Sequence, residues 1–293
     1  MRFRDFLLLV FVCLTWGFSN VLSKVVVGTW HVPPLFFAAA RFAIVLAVTL
    51  PWLRPMPRPA WRIVLVGALM GGGNFALLFL GLKTASPSSA AVVLQAGVPI
   101  TTLLSILILG ERIHWRRGLG ITLTLAGVLL VVWRPGFAVS AGLLFILSAA
   151  FAGSLGAILM KQMEHVAPLR FQAWVGLTAV VPLTLASALF EHGQWTTSVA
   201  AGWPFVAALL FSALIVSVCA HTLYYGLIAR YEATLLAPLT LMTPLTTIGL
   251  GVLITGDQLD LRMIAGAALA LLGVLIVAVR PSRAPIVEAQ EHA

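Results

Sequence analysis

Residues 94–113 read LQAGVPITTLLSILILGERI, and residues 239–258 read LTLMTPLTTIGLGVLITGDQ. Each is an apolar stretch with an internal proline (Pro99, Pro244) that ends on glycine and an acid: Gly110-Glu111 and Gly256-Asp257. Nine and sixteen residues beyond Glu111 stand Gly120 and Gly127, and the same two steps from Asp257 reach Gly266 and Gly273. Arg134-Pro135 closes the first copy and Arg280-Pro281 the second, all at one separation of 146 residues. A period of half the chain predicts an internal duplication, with repeats over 1–135 and 136–281 and a disordered cytoplasmic tail over 282–293.

Around these segments the chain is almost continuously apolar. Of its 293 residues, 61% are hydrophobic and 9% charged, against about a quarter charged in soluble domains. Mean hydropathy is +1.06. Runs long enough to cross a bilayer as helices fall at 6–27, 32–53, 61–82, 88–109, 116–133, 139–160, 168–190, 203–228, 233–255 and 262–280. The fold class expected is therefore all-α and polytopic, with ten transmembrane helices. The first run follows basic residues as in a signal peptide, but it is too long and lacks a small-residue cleavage site, so it reads as a retained first span.

A net charge of +9 raises nucleic acid as a partner, but the charges alternate between loops. Thirteen Lys and Arg fall on one side of a ten-span topology and four on the other, with Arg41 inside span two. That asymmetry places both termini in the cytoplasm. Cys13 and Cys219 both lie in apolar runs and offer neither a disulfide framework nor a CxxC site. Since each repeat holds an odd number of spans, the two halves take opposite orientations. Inverted repeats of this kind build many secondary transporters, with the substrate between the halves near the midplane.

Thr15-Trp16-Gly17, Arg41, the proline-to-acid segment 94–113 and its glycine spacing together resemble the EamA family of drug/metabolite transporters over nearly the whole chain. The resemblance implies a ten-helix carrier of small metabolites in the bacterial inner membrane, often an exporter of amino acids. One subgroup exports aromatic amino acids and methionine. The second copy departs from the pattern in Asp257 and in one extra residue between Pro244 and Gly256.

Polar and aromatic groups at membrane depth are the natural site candidates. Trp16 and Asn20 share one face of span one, while the adjoining Ser/Thr stripe suits close helix packing. Arg41 sits near the middle of span two, where a charge costs at least ~2.5–3.5 kcal/mol. It either bonds carbonyls freed by a broken helix or serves as counter-ion to a substrate carboxylate. Asn74 follows Gly71-Gly72-Gly73, a run that permits bending or close approach. Pro99 removes the donor to the carbonyl of Gln95, and Pro244 does the same one turn after Thr240, so the two prolines are matched hinge candidates. Ser217, His221 and Tyr225 recur every four residues on span eight. His221 is either a titrating group or a neutral packing residue. Trp174 completes the expected substrate site of Trp16, Asn20, Arg41, Asn74, Gln95, Trp174, His221 and Tyr225. Glu111 and Asp257 fall on opposite membrane faces, as turn anchors or gate contacts near Arg112 or Arg116 and near Arg262. Spans five and ten, nearly free of polar residues, read as a lipid-facing scaffold.

No acid lies mid-span, which disfavours organic cations and strong proton coupling and favours zwitterions, anions or neutral solutes. The leading reading is an exporter of neutral or hydrophobic amino acids working by alternating access, with no cofactor and no metal. A small-molecule substrate and the lipid bilayer are its partners, nucleic acid is not, and a monomer is the expected state. The alternatives are a carrier of sugar nucleotides, drugs or lipids, a passive channel, and an intramembrane enzyme built on Ser154 and His221. The last lacks the spacing of serine hydrolase chemistry.

Overall fold

The computed structural model describes residues 1–110, 115–132, 140–163, 166–228, 230–231, 236 and 239–278. Glu111, both Arg-Pro closures and the tail lie outside them, so the anchor expected at Glu111 has no described geometry. Regular structure among the described residues is helical. In chain order the helices are α1 (Phe3–Thr29), α2 (Pro34–Leu53), α3 (Ala60–Leu82), α4 (Pro87–Leu109), α5 (Trp115–Val132), α6 (Ala141–Lys161), α7 (Pro168–Phe190), α8 (Gln194–Leu227), α9 (Met242–Thr255) and α10 (Leu261–Ala278). All but α9 are long and apolar enough to span a membrane. The expected span 233–255 starts among residues outside the described set. Leu107, Phe190 and Leu253 are each more than three-quarters exposed, as side chains facing lipid tails would be.

Local chemistry sets the ends. Proline opens α2, α4 and α7, where a missing N–H costs nothing. Gly110 and Gly256 close α4 and α9 in the left-handed conformation, at φ 67° in both cases, which is why glycine precedes each acid. At Gly202 (φ 62°, ψ −150°) α8 breaks. The helical stretch before it carries the exposed Trp195 and extends the element beyond the run 203–228 read from hydropathy.

Two acids reach across the molecule to cap helices. Glu191 accepts from the Leu35 and Phe36 amides at 2.8 and 2.9 Å, at the start of α2. Asp257 accepts from the Ser88 amide at 2.9 Å and the Thr255 hydroxyl at 2.8 Å. Orphan N–H groups and the positive end of the helix dipole favour a carboxylate at both places. Asp257 is therefore bonded to the start of α4 and to its own turn, and not to Arg262. Arg262 instead donates to the Val131 carbonyl at 3.4 Å.

Spans five and ten expose Leu129, Leu261 and Leu272 on their outer faces and also pack against each other. α5 and α10 pack closely and antiparallel, with Gly120 against Gly273 and Gly127 against Gly266. A Cβ on Gly127 would stand 2.5 Å from the Ala270 nitrogen and the Gly266 oxygen. In lipid, helices gain by van der Waals packing rather than by hiding apolar surface, and glycine lets backbones approach. Thr124 sits in the same seam and donates to the Gly120 carbonyl at 2.9 Å.

Candidate functional site

Five helices line a cavity of about 190 Å³. Phe42 comes from α2, Met70, Asn74 and Phe75 from α3, and Gly153 from α6. Phe171, Gln172 and Val175 come from α7, and Ser217, His221 and Tyr225 from α8. Two wide turns with i→i+5 hydrogen bonding, Ala68–Gly73 in α3 and Phe211–Ala220 in α8, lie directly before Asn74 and His221. Such turns are common at functional sites because they rotate the following side chains relative to an unbroken helix. Gly71 sits in the first of them, where a Cβ would meet Val175 Cγ1 at 2.6 Å, so α3 closes tightly on α7 at the cavity.

Each polar wall group is held by a specific bond. Asn74 Nδ2 donates to the Ala149 carbonyl at 2.7 Å, leaving its carbonyl oxygen and one N–H. Gly153 makes room for it, since a Cβ there would stand 2.9 Å from Asn74 Nδ2. His221 Nδ1 donates to the Val216 carbonyl at 2.7 Å. A carbonyl can only accept, so in the neutral ring the proton is on Nδ1 and Nε2 is the acceptor. Ser217 donates to the Ser212 carbonyl at 3.2 Å and accepts from Arg41 Nε at 2.9 Å.

Arg41 stands one side chain behind the wall and is 1% exposed. Its guanidinium lies 4.4 Å over the Phe75 ring, and Nη2 has no hydrogen-bond partner. Among the described residues no carboxylate pairs with it, whereas Arg230, just beyond the end of α8, has Asp5 at 3.9 Å. The bond it makes is to a hydroxyl rather than to carbonyls of a broken helix.

Of the eight expected site residues, Asn74, His221 and Tyr225 line the cavity. Arg41 touches its wall, and so does Trp16, whose ring centroid is 5.0 Å from that of His221 and 4.8 Å from that of Tyr224. The other three are placed elsewhere. Asn20 donates to Thr247 Oγ1 at 3.3 Å, joining α1 to α9. Trp174 Nε1 donates to the Leu53 carbonyl at 3.1 Å, tying α7 to the end of α2. Gln95 sits at the break in α4, and its carbonyl accepts from Val98 N at 3.1 Å, so the group expected to be freed by Pro99 is taken up by a tighter turn. It is the Gly97 carbonyl that receives a side chain, Ser154 Oγ at 3.0 Å. Ser154 and His221 therefore make no catalytic pair. The residues before the two hinge prolines match in conformation: Ala96 at φ −57°, ψ −21° and Leu241 at φ −61°, ψ −16°.

The wall residues missed from sequence are Phe42, Met70, Phe75, Gly153, Phe171, Gln172 and Val175. Five have apolar side chains that look like any facing lipid, and Gly153 has none. Gln172 was legible in principle, as an uncharged amide within the run 168–190.

A polytopic helical bundle with a small polar-and-aromatic cavity between its helices has the form of a membrane transporter. The chain belongs to the EamA-like transporter family, whose model matches residues 5–133 and again 140–279. It is similar to a probable amino-acid metabolite efflux pump of Salmonella typhimurium, at 29% identity over 94% of this chain and 95% of that one. A protein of the same description from Escherichia coli is 27% identical over 94% and 95%. An uncharacterized transporter of Bacillus subtilis, YvbV, is 30% identical over 94% of this chain and 91% of its own. A crystal structure at 22% identity shares the fold with a TM-score of 0.65, covering 95% of this chain and 98% of the other. The chain is a multi-pass bacterial inner-membrane transporter and not an enzyme.

Proposed function

We propose that this transporter exports neutral amino acids by alternating access, with the cavity between α2, α3, α6, α7 and α8 as its substrate site. The observation that carries this reading is a small aromatic cavity backed by a buried arginine that has no acidic partner among the described residues. At about 190 Å³ it is smaller than the ~300–1,000 Å³ typical of drug-sized ligands. Its wall offers acceptors to an ammonium group, from Asn74 and His221, while Arg41 supplies positive charge for a carboxylate. None of the lining residues is acidic.

The architecture behind the mechanism is ten spans in two inverted repeats, 1–135 and 136–281, with cytoplasmic termini. Helix packing supports it. Exchanging each helix for the one five later turns α1–α9 into α6–α4, α1–α8 into α6–α3 and α2–α8 into α7–α3, all of which are in contact. The pairs α5–α10 and α2–α7 map onto themselves. Two packings of equal type in opposite orientation are what alternating access exchanges, and the breaks before Pro99 and Pro244 are the hinges in this reading.

Counterflow of labelled neutral amino acids into proteoliposomes loaded with the same compound tests the assignment. Saturable counterflow is expected for at least one of them. Flux of a sugar nucleotide or a drug with none for any amino acid would contradict it.

A further inference from the structure

We infer that Gln172 is a specificity-determining residue, whose carboxamide selects amino acids that carry a hydrogen-bonding group on the side chain over purely aliphatic ones. The inference rests on the amino-acid reading above and narrows it.

Gln172 is 4% exposed and lines the cavity. Helical spacing puts it on one face with Val175 and Ala179, which meet Gly71 of α3, and with Gly176, which meets the backbone of Leu46 on α2. The other amide and the imidazole in the wall each spend one polar atom on a backbone carbonyl. Ser217 is occupied by Arg41 and Ser212. By contrast, the Gln172 carboxamide makes no hydrogen bond with any described residue, and nor does the Tyr225 hydroxyl, which shares the same cavity.

A carboxamide carries two donors and an acceptor with two lone pairs. Left against hydrocarbon in a buried site it keeps its desolvation cost, and a substrate hydroxyl or amide removes it. Sites built around such groups discriminate strongly against analogues that lack the matching polar atom, whereas a change of shape alone is read weakly. Pairs of amino acids with nearly equal shape therefore isolate the contribution of Gln172: asparagine with leucine, and threonine with valine.

The experiment is competition counterflow with these four amino acids in proteoliposomes, for the wild-type chain and for Gln172→Met, which keeps the length and removes the amide. In the wild type, asparagine and threonine are expected to compete about tenfold or more better than leucine and valine. Gln172→Met is expected to abolish or reverse that order. Equal competition within each pair in the wild type overturns the inference while leaving amino-acid transport standing, and needs no variant to fold. An unchanged order in Gln172→Met overturns it as well. Absence of competition by all four in the wild type, with flux of another solute class, removes the amino-acid reading and this inference together.

Discussion

Arg41→Gln is expected to weaken transport by about tenfold to a hundredfold while leaving the protein folded. The guanidinium is buried, bonded through Nε to Ser217 and stacked over Phe75, with Nη2 unpartnered. A charge at membrane depth costs at least ~2.5–3.5 kcal/mol. One bond to a hydroxyl and a cation–π contact of up to ~2 kcal/mol leave little net stabilisation, so removing the charge relieves about as much as it loses. A substrate carboxylate in the cavity, with one wall side chain between it and the guanidinium, would stand roughly 6 Å from the charge. At an effective dielectric near 20, that attraction is about 3 kcal/mol, or roughly a hundredfold in affinity. Counterflow affinity and the unfolding midpoint in detergent, measured together, separate the two roles weighed for this residue. Lost affinity with an unchanged or higher midpoint supports the counter-ion; a collapsed midpoint restored by Arg41→Lys makes the residue structural.

The second large effect is on stability. Gly127→Leu is expected to destabilise the protein by about 3 kcal/mol or more, because its first carbon meets the backbone of α10. The nearest atoms, at 2.5 Å, are the Ala270 nitrogen and the Gly266 carbonyl oxygen, and neither is the movable end of a side chain. Overpacking of a close core costs ~1–3 kcal/mol when side chains give way, and here the helices themselves must separate. Gly127→Ala is expected to lower the thermal unfolding midpoint already. Gly118→Ala, on the same helix with nothing within 4 Å, is the matched control and should leave it unchanged. Equal midpoints for the Gly127→Ala and Gly118→Ala proteins would contradict the α5–α10 seam.

Polarity and spacing made part of this legible. Hydropathy found the helices because lipid requires each crossing segment to satisfy its own backbone. The glycines after Glu111 and Asp257 were visible as a repeat, yet their work was not, since a seam of van der Waals contacts leaves no polar signature. The Ser217, His221 and Tyr225 stripe did lie along the cavity. Asn20 and Trp174 have the same sequence signature as cavity residues, but their donors are taken up by Thr247 and Leu53 on neighbouring helices. Whether a mid-span polar group faces a cavity or a neighbour depends on tertiary packing. The wide turns in α3 and α8 also shift helical phase by about 100° per extra residue, which periodicity cannot anticipate. Phe42, Phe75 and Phe171 escaped because an aromatic ring facing a cavity and one facing lipid have the same sequence context.

The central claim, that the transported molecule occupies this cavity, is tested most directly by a cysteine in its wall. In a background carrying Cys13→Ala and Cys219→Ala, Val175→Cys places one thiol on the cavity face of α7, beside Gln172. The measurement is the rate at which a methanethiosulfonate reagent modifies that thiol in membranes, with and without saturating substrate. Modification that blocks counterflow, and that slows several-fold when substrate is present, is the predicted result. Modification at the same rate with and without substrate, or full counterflow after complete modification, would contradict the account.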